Sequence, residues 1–169
     1  IRLLEKAAKD SELRPDLCYE ALGYFYHAID KHDESIKSFD LAPVENSKRR
    51  PLCLWGKGNT FYELRNYKDA EIAYNQSMVG DMTSIVRGAI SLADMYADIG
   101  DVNKGITYLE SFKEDPKILP KEKVDILFTL MNLYDRQKNT DRISSILEEI
   151  SNTPNLDEST IFKLKKNII

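Results

Sequence analysis

Gly58-Asn59-Thr60-Phe61-Tyr62-Glu63-Leu64-Arg65-Asn66-Tyr67-Lys68-Asp69-Ala70-Glu71-Ile72-Ala73-Tyr74 is the stretch from which the architecture follows. Leu54, Lys57, Gly58 and Phe61 fall on one helical face, and Ala70, Tyr74 and Ser77 share another after the break at Arg65 and Asn66. Two helical faces around a short break describe a hairpin of antiparallel helices. Such helices approach to about 8 to 10 Å only where small side chains lie at the crossing. The spacing therefore sets Gly58 against Ala70, with Phe61 and Tyr74 filling the space on either side. Gly58→Leu is expected to force the helices apart.

The same residue sizes recur at an interval of 35 residues. Small residues stand at Gly23, Gly58 and Ala93, and rings follow at Tyr26, Phe61 and Tyr96. A second small set lies at Ser35, Ala70 and Gly105, and a large apolar set at Phe39, Tyr74 and Leu109. A period of this length marks a solenoid, because one hairpin is too small to bury its apolar face alone. A fourth, degenerate unit carries Leu130, Met131, Tyr134, Ile143, Leu147 and Ile150 after a slip of three residues. The slip falls between Glu114 and Lys123, where Pro116 and Pro120 interrupt any helix. Met131 and Ile143 replace two small residues, which predicts a splayed or tilted hairpin. Pro51 suits the first turn of the helix that carries Trp55.

These positions resemble the tetratricopeptide repeat, whose consensus places Leu-Gly, then Tyr, then Ala, Phe or Tyr, and Ala along about 34 residues. Leu22-Gly23 with Tyr26 matches its first part, and Tyr67-Lys68-Asp69-Ala70 with Tyr74 its second. The resemblance covers residues 16 to about 118 and extends less well to the fourth unit. It implies an all-α, right-handed superhelical solenoid of helical hairpins, about four repeats plus flanking helices. Residues 1–12 read as the second helix of a truncated preceding repeat, because Leu4 and Ala7 sit where that helix belongs. Repeats then span 16–48, 51–82, 84–116 and, degenerate, 120–153, all in one continuous domain. Asp157, Glu158 and Ser159 can cap a terminal helix over 157–169 that carries Ile161, Phe162 and Leu164.

Composition excludes more than it assigns. At 42% hydrophobic and 31% charged the chain suits a globular domain, and no apolar stretch approaches the ~20 residues of a membrane span. Cys18 and Cys53 occupy the same place in adjacent repeats, on first helices about 10 Å apart. That exceeds the roughly 7 Å Cα separation a disulfide tolerates, and two free core thiols suit a reducing, intracellular compartment. His27 lies more than two helical turns from Cys18, roughly 13 Å at 1.5 Å per residue, too far for a nucleophile pair. No spacing suggests a zinc site, a phosphate loop or a nucleophile elbow. No catalytic residue, metal or cofactor is expected. Asn75-Gln76-Ser77 fits the glycosylation pattern but lies on a packed second helix.

The resemblance also implies that first helices line a concave face. Carried over, its inward places hold Leu17, Glu20, Tyr24 and His27, then Leu52, Trp55, Asn59, Tyr62 and Glu63. Arg87, Ile90, Ser91, Asp94 and Asp98 follow, and then Asp125, Phe128, Asn132, Asp135 and Arg136. Six acids stand against two arginines, and Tyr24, Trp55, Tyr62 and Phe128 supply rings, which favours a basic or apolar partner segment. The other reading is an ordinary solvated face, with some rings packed under the neighbouring repeat. The partner-contact set expected on this face is Tyr24, His27, Trp55, Asn59, Tyr62, Arg87, Ser91, Asp94, Asp98, Phe128 and Asn132.

Family members that clamp the acidic tails of heat-shock chaperones use inward places that here hold Glu20, Tyr24, Gly56, Arg87 and Ser91. An acid stands in for a lysine, which argues against that use. The basic stretch Ser47-Lys48-Arg49-Arg50-Pro51 reads as a solvated loop between repeats, because three cations in a chain of net charge −4 make a weak nucleic-acid footprint. Ser84-Ile85-Val86-Arg87-Gly88-Ala89-Ile90-Ser91-Leu92, with Asp98-Ile99-Gly100 and Tyr108-Leu109-Glu110, is similar to a repeat in the tetratricopeptide subunit of transcription factor IIIC. That similarity implies a nuclear scaffold in RNA polymerase III initiation. The expectation is a non-enzymatic scaffold for protein subunits or peptide segments, without direct membrane or nucleic-acid contact, nuclear rather than cytoplasmic. The alternative is a regulatory or docking domain of a larger enzyme.

Overall fold

Asp30, Arg65, Gly100 and Lys138 each take a positive φ, at 59, 56, 94 and 55°. At each, the following N–H reaches back five residues to the carbonyl of the ring-bearing position. Lys31 bonds Tyr26 at 2.9 Å, Asn66 bonds Phe61 at 2.9 Å, Asp101 bonds Tyr96 at 2.8 Å and Asn139 bonds Tyr134 at 3.0 Å. This left-handed turn closes one helix and reverses the chain. Side chains of Asn66, Asp101 and Asn139 then accept the N–H of Asp69, Lys104 and Arg142, which caps the next helix. Lys31 offers no acceptor, and its helix starts without a side-chain cap. The turns are spaced 35, 35 and then 38 residues apart, so the slip of three is a property of the backbone.

The computed structural model describes residues 1–10, 14–43 and 48–153. Among the described residues lie nine helices and no strand: α1 Arg2–Ala8, α2 Pro15–Ala28, α3 His32–Leu41, α4 Arg50–Glu63, α5 Tyr67–Ser77, α6 Met82–Asp98, α7 Val102–Phe112, α8 Pro120–Arg136 and α9 Thr140–Ser151. The four turns join α2 to α3, α4 to α5, α6 to α7 and α8 to α9. Pro116 falls between α7 and α8, and Pro51 and Pro120 sit at the starts of α4 and α8. The terminal helix expected over 157–169, with Asp157, Glu158, Ser159, Ile161, Phe162 and Leu164, lies outside the described residues. So does Ser47 of the basic loop.

Packing divides the chain inside α6, into Ile1–Gly88 and the residues from Ala89 onward. In the first unit Leu22, Phe39, Ala42, Cys53, Ala70, Ala73 and Tyr74 are buried. A Cβ at Gly23 would lie 2.5 Å from the Phe39 ring, and one at Gly58 would lie 2.6 Å from the Tyr74 ring. The pairing of Gly58 with Ala70 drawn from spacing is thus corrected: Gly58 makes room for the flat face of Tyr74, four residues beyond Ala70. Ser35 and Thr60 are fully buried polar residues of this core. Ser35 donates to the Gly23 carbonyl at 2.8 Å and Thr60 to the Gly56 carbonyl at 3.0 Å, which satisfies both hydroxyls inside apolar surroundings.

In the second unit Leu92, Met95, Leu109, Ile126, Leu127, Leu130, Leu133 and Ile150 are nearly free of solvent. Here the close approach is made from the other side of the hairpin, since a Cβ at Gly105 would lie 2.6 Å from the Ala93 carbonyl oxygen. On α9, Ile146 and Ile150 are buried, while Ile143 and Leu147 are half-buried. Lys113 lies 3.1 Å from Glu110 and 3.3 Å from Glu149, and Lys123 lies 2.9 Å from the same Glu149. Burial alone would raise the Glu149 pKa, but the two lysines outweigh it and hold the carboxyl below its ordinary range.

Candidate functional site

The two units place the expected contact residues differently, and each is described by itself. In the first, α4 presents Trp55 and the opening turns of α6 present Arg87. The guanidinium carbon lies 5.3 Å from the indole centroid, a cation–π pair with both residues half-buried. Asp81 starts α6 by accepting the Ser84 N–H at 2.8 Å, and that bond holds its carboxyl below the ordinary aspartate range.

Tyr24, expected on the contact face, packs edge-on against Phe39 at 5.1 Å and donates to the Leu52 carbonyl at 2.9 Å. Burial raises its pKa strongly. Half-buried, it joins α2 to α3 and α4. Asn59 accepts from the Tyr74 hydroxyl at 2.9 Å, so its amide anchors the ring that lies over Gly58. Tyr62 lies beside Tyr67, their centroids 6.0 Å apart.

The acidity counted along the sequence is partly neutralised. Glu20 pairs with Arg49 at 2.8 Å, so one cation of the stretch read as a solvated loop is tied to α2. In the second unit Asp98 pairs with Arg136. Asp94 is half-buried, and burial raises its pKa; Arg136 opposes the rise and Asp98 adds to it. Ser91 and Phe128 are half-buried and Asn132 is exposed.

Both cysteines are free. Cys53 belongs to the core, and burial pushes its thiol up to about 12, far from the thiolate a nucleophile requires. Cys18, expected in the core, is half-buried.

One constellation was not visible as a spacing. His27 and His32 lie five residues apart, on either side of the turn at Asp30, and Glu63 comes from the end of α4. The turn folds His32 back beside His27, and the ligating atoms of all three residues lie within 4.8 Å of one another. The signal for it was a His pair straddling a reversal, with an acid 36 residues after the first His; pairing them required knowing that α4 packs beside α2 and α3.

No helix among the described residues is long and apolar enough to cross a membrane. No family model matches the chain, and no curated protein matches it. Among solved structures it is similar to BtubC (BKLC) from P. vanneervenii, at 16% identity and a TM-score of 0.65, over 89% of this chain and 68% of that one. At that identity the likeness bears on the fold alone, and it agrees with an all-α array of helical hairpins.

Proposed function

We propose that this chain is a non-enzymatic scaffold of the tetratricopeptide type, holding protein subunits or peptide segments of an intracellular assembly. The observation that carries the reading is the recurrence of one turn geometry at Asp30, Arg65, Gly100 and Lys138. A fold built by repetition makes surface rather than a single pocket. Trp55 under Arg87 is its anchor of choice, since tryptophan and arginine are enriched among the few residues that carry most of an interface's binding energy once a partner covers them. Asp94 gives the preference for a basic segment: its carboxylate is partly stripped of water, and an incoming cation would relieve that cost. A narrower form, a nuclear scaffold serving RNA polymerase III initiation, draws on Arg87, Ile90 and Ser91, which are all half-exposed, and on Leu92, which is buried.

The test is mass-spectrometric identification of proteins that co-purify with this protein, against Trp55→Ala and Asp94→Lys variants whose circular dichroism is unchanged. Loss of a discrete partner set supports the contact face, and polymerase III factors in that set support the narrower form. An unchanged set removes these residues from the interface. An enzyme activity in the purified material, altered when Trp55 is replaced, would favour a regulatory or docking domain of a larger enzyme instead.

A further inference from the structure

His27 Nε2 lies 3.4 Å from one Glu63 carboxylate oxygen, and His32 Nδ1 lies 3.9 Å from the other. The two imidazole centroids are 6.2 Å apart. Behind His27, Nδ1 lies 3.2 Å from Thr60 Oγ1. Thr60 has one proton, and the Gly56 carbonyl at 3.0 Å and Ser35 Oγ at 3.1 Å both compete for it. Ser35 spends its own proton on the Gly23 carbonyl. With that proton given to Gly56 or Ser35, none is left for His27, so Nδ1–H donates to Thr60, and in the neutral imidazole the lone pair on Nε2 faces the carboxylate.

A cation between Nε2 and Glu63 resolves that juxtaposition. His32 Nδ1 is shielded from water, has no hydrogen-bond partner and stands 3.9 Å from the same carboxylate, too long for a proton on either ring to bridge all three groups. A metal ion takes all three. We infer that His27 Nε2, His32 Nδ1 and the Glu63 carboxylate form a binding site for a divalent transition-metal ion of the zinc class. Ligand bonds of about 2.0 to 2.2 Å in a tetrahedron put ligand atoms roughly 3.4 Å apart, the separation found between His27 and Glu63. His32 and Glu63 stand at helix ends, where side-chain rotation closes the longer edge. Two imidazoles and one carboxylate select zinc, copper or nickel over magnesium or calcium. Three protein ligands leave one position open to water or to an outside donor. Thr60 is the outer partner that holds the His27 ring in place.

The experiment titrates the full chain with zinc chloride against a chromophoric chelator, with magnesium chloride as the second probe. One zinc per chain at micromolar affinity or tighter is expected, with no competing effect of magnesium. His32→Ala and Glu63→Gln, both at helix ends and checked by circular dichroism, are each expected to weaken zinc by at least about tenfold. Cobalt(II) in place of zinc is expected to show no thiolate charge-transfer band. Absent binding, affinity in both variants unchanged from that of the unsubstituted chain, or a thiolate band pointing to Cys18 or Cys53 would each overturn the assignment.

Discussion

Gly58 shows how a single position reverses an ordinary rule. Helix propensity favours alanine over glycine by about 1 kcal/mol, so Gly58→Ala on an open face would stabilise α4. The added Cβ would lie 2.6 Å from the ring of Tyr74, which is buried and anchored through its hydroxyl to Asn59. Overpacking of about 1–3 kcal/mol outweighs the propensity gain. Urea denaturation is expected to show a net loss of about 1 kcal/mol for Gly58→Ala and a larger one for Gly58→Leu, and in a double-mutant cycle the cost of Gly58→Ala is expected to shrink when it is introduced into a Tyr74→Leu background. Asp94 carries the opposite lesson. Burial raises its folded pKa above the ordinary value of 3.8, so its ionisation opposes folding. Between the two values the native state binds more protons than the unfolded chain, and stability falls as pH rises through that window. Asp94→Asn is therefore expected to raise the melting temperature at neutral pH, an advantage that fades as pH drops below the ordinary aspartate range.

At the scale of the element, the four turns are one device in four sequences. A non-glycine residue in the left-handed region costs roughly 1 kcal/mol or more, and glycine already occupies the third of these turns at Gly100. Arg65→Gly is expected to stabilise the α4–α5 hairpin by several tenths of a kcal/mol, the relief of strain being partly offset by a freer unfolded chain. Asn139→Ala removes the acceptor for the Arg142 N–H and is expected to cost about 1 kcal/mol. Both effects are readable as shifts in thermal unfolding. Much of this was legible in advance. The period of 35 residues located the breaks, and Arg65-Asn66 was already the predicted reversal. The pairing inside each hairpin was less legible, because spacing names the residues on a face without saying which neighbour a ring will lie across.

For the whole molecule, acid sensitivity follows from carboxylates held by different partners. Asp16 is lowered by its bond to Arg14, Asp81 by the Ser84 N–H, and Glu149 by Lys123 and Lys113 against the effect of its burial. Their contributions are complete above the ordinary carboxylate values and are lost as pH falls through the lowered ones. Asp94 works the other way. Three groups against one predict that denaturation free energy declines as pH drops below about 4, and that the decline is shallower in Lys123→Met, where Glu149 has lost a partner. A decline of unchanged slope in that variant would remove Glu149 from the account.

The sequence by itself determined the helical hairpin, its period, the slip of three residues and the rings and small residues that face inward, because these are local periodicities of 3.6 and 35 that a chain cannot hide. Tertiary structure decided which polar groups meet. It tied the half-buried Tyr24 to the Leu52 carbonyl, joined Arg49 to Glu20, laid Arg87 over Trp55, and gathered His27, His32 and Glu63. The reason is geometric: helical period fixes the face on which a side chain stands, whereas a meeting between side chains depends on how far one helix slides and rotates against the next, and that is set by the packing of rings over Gly23 and Gly58.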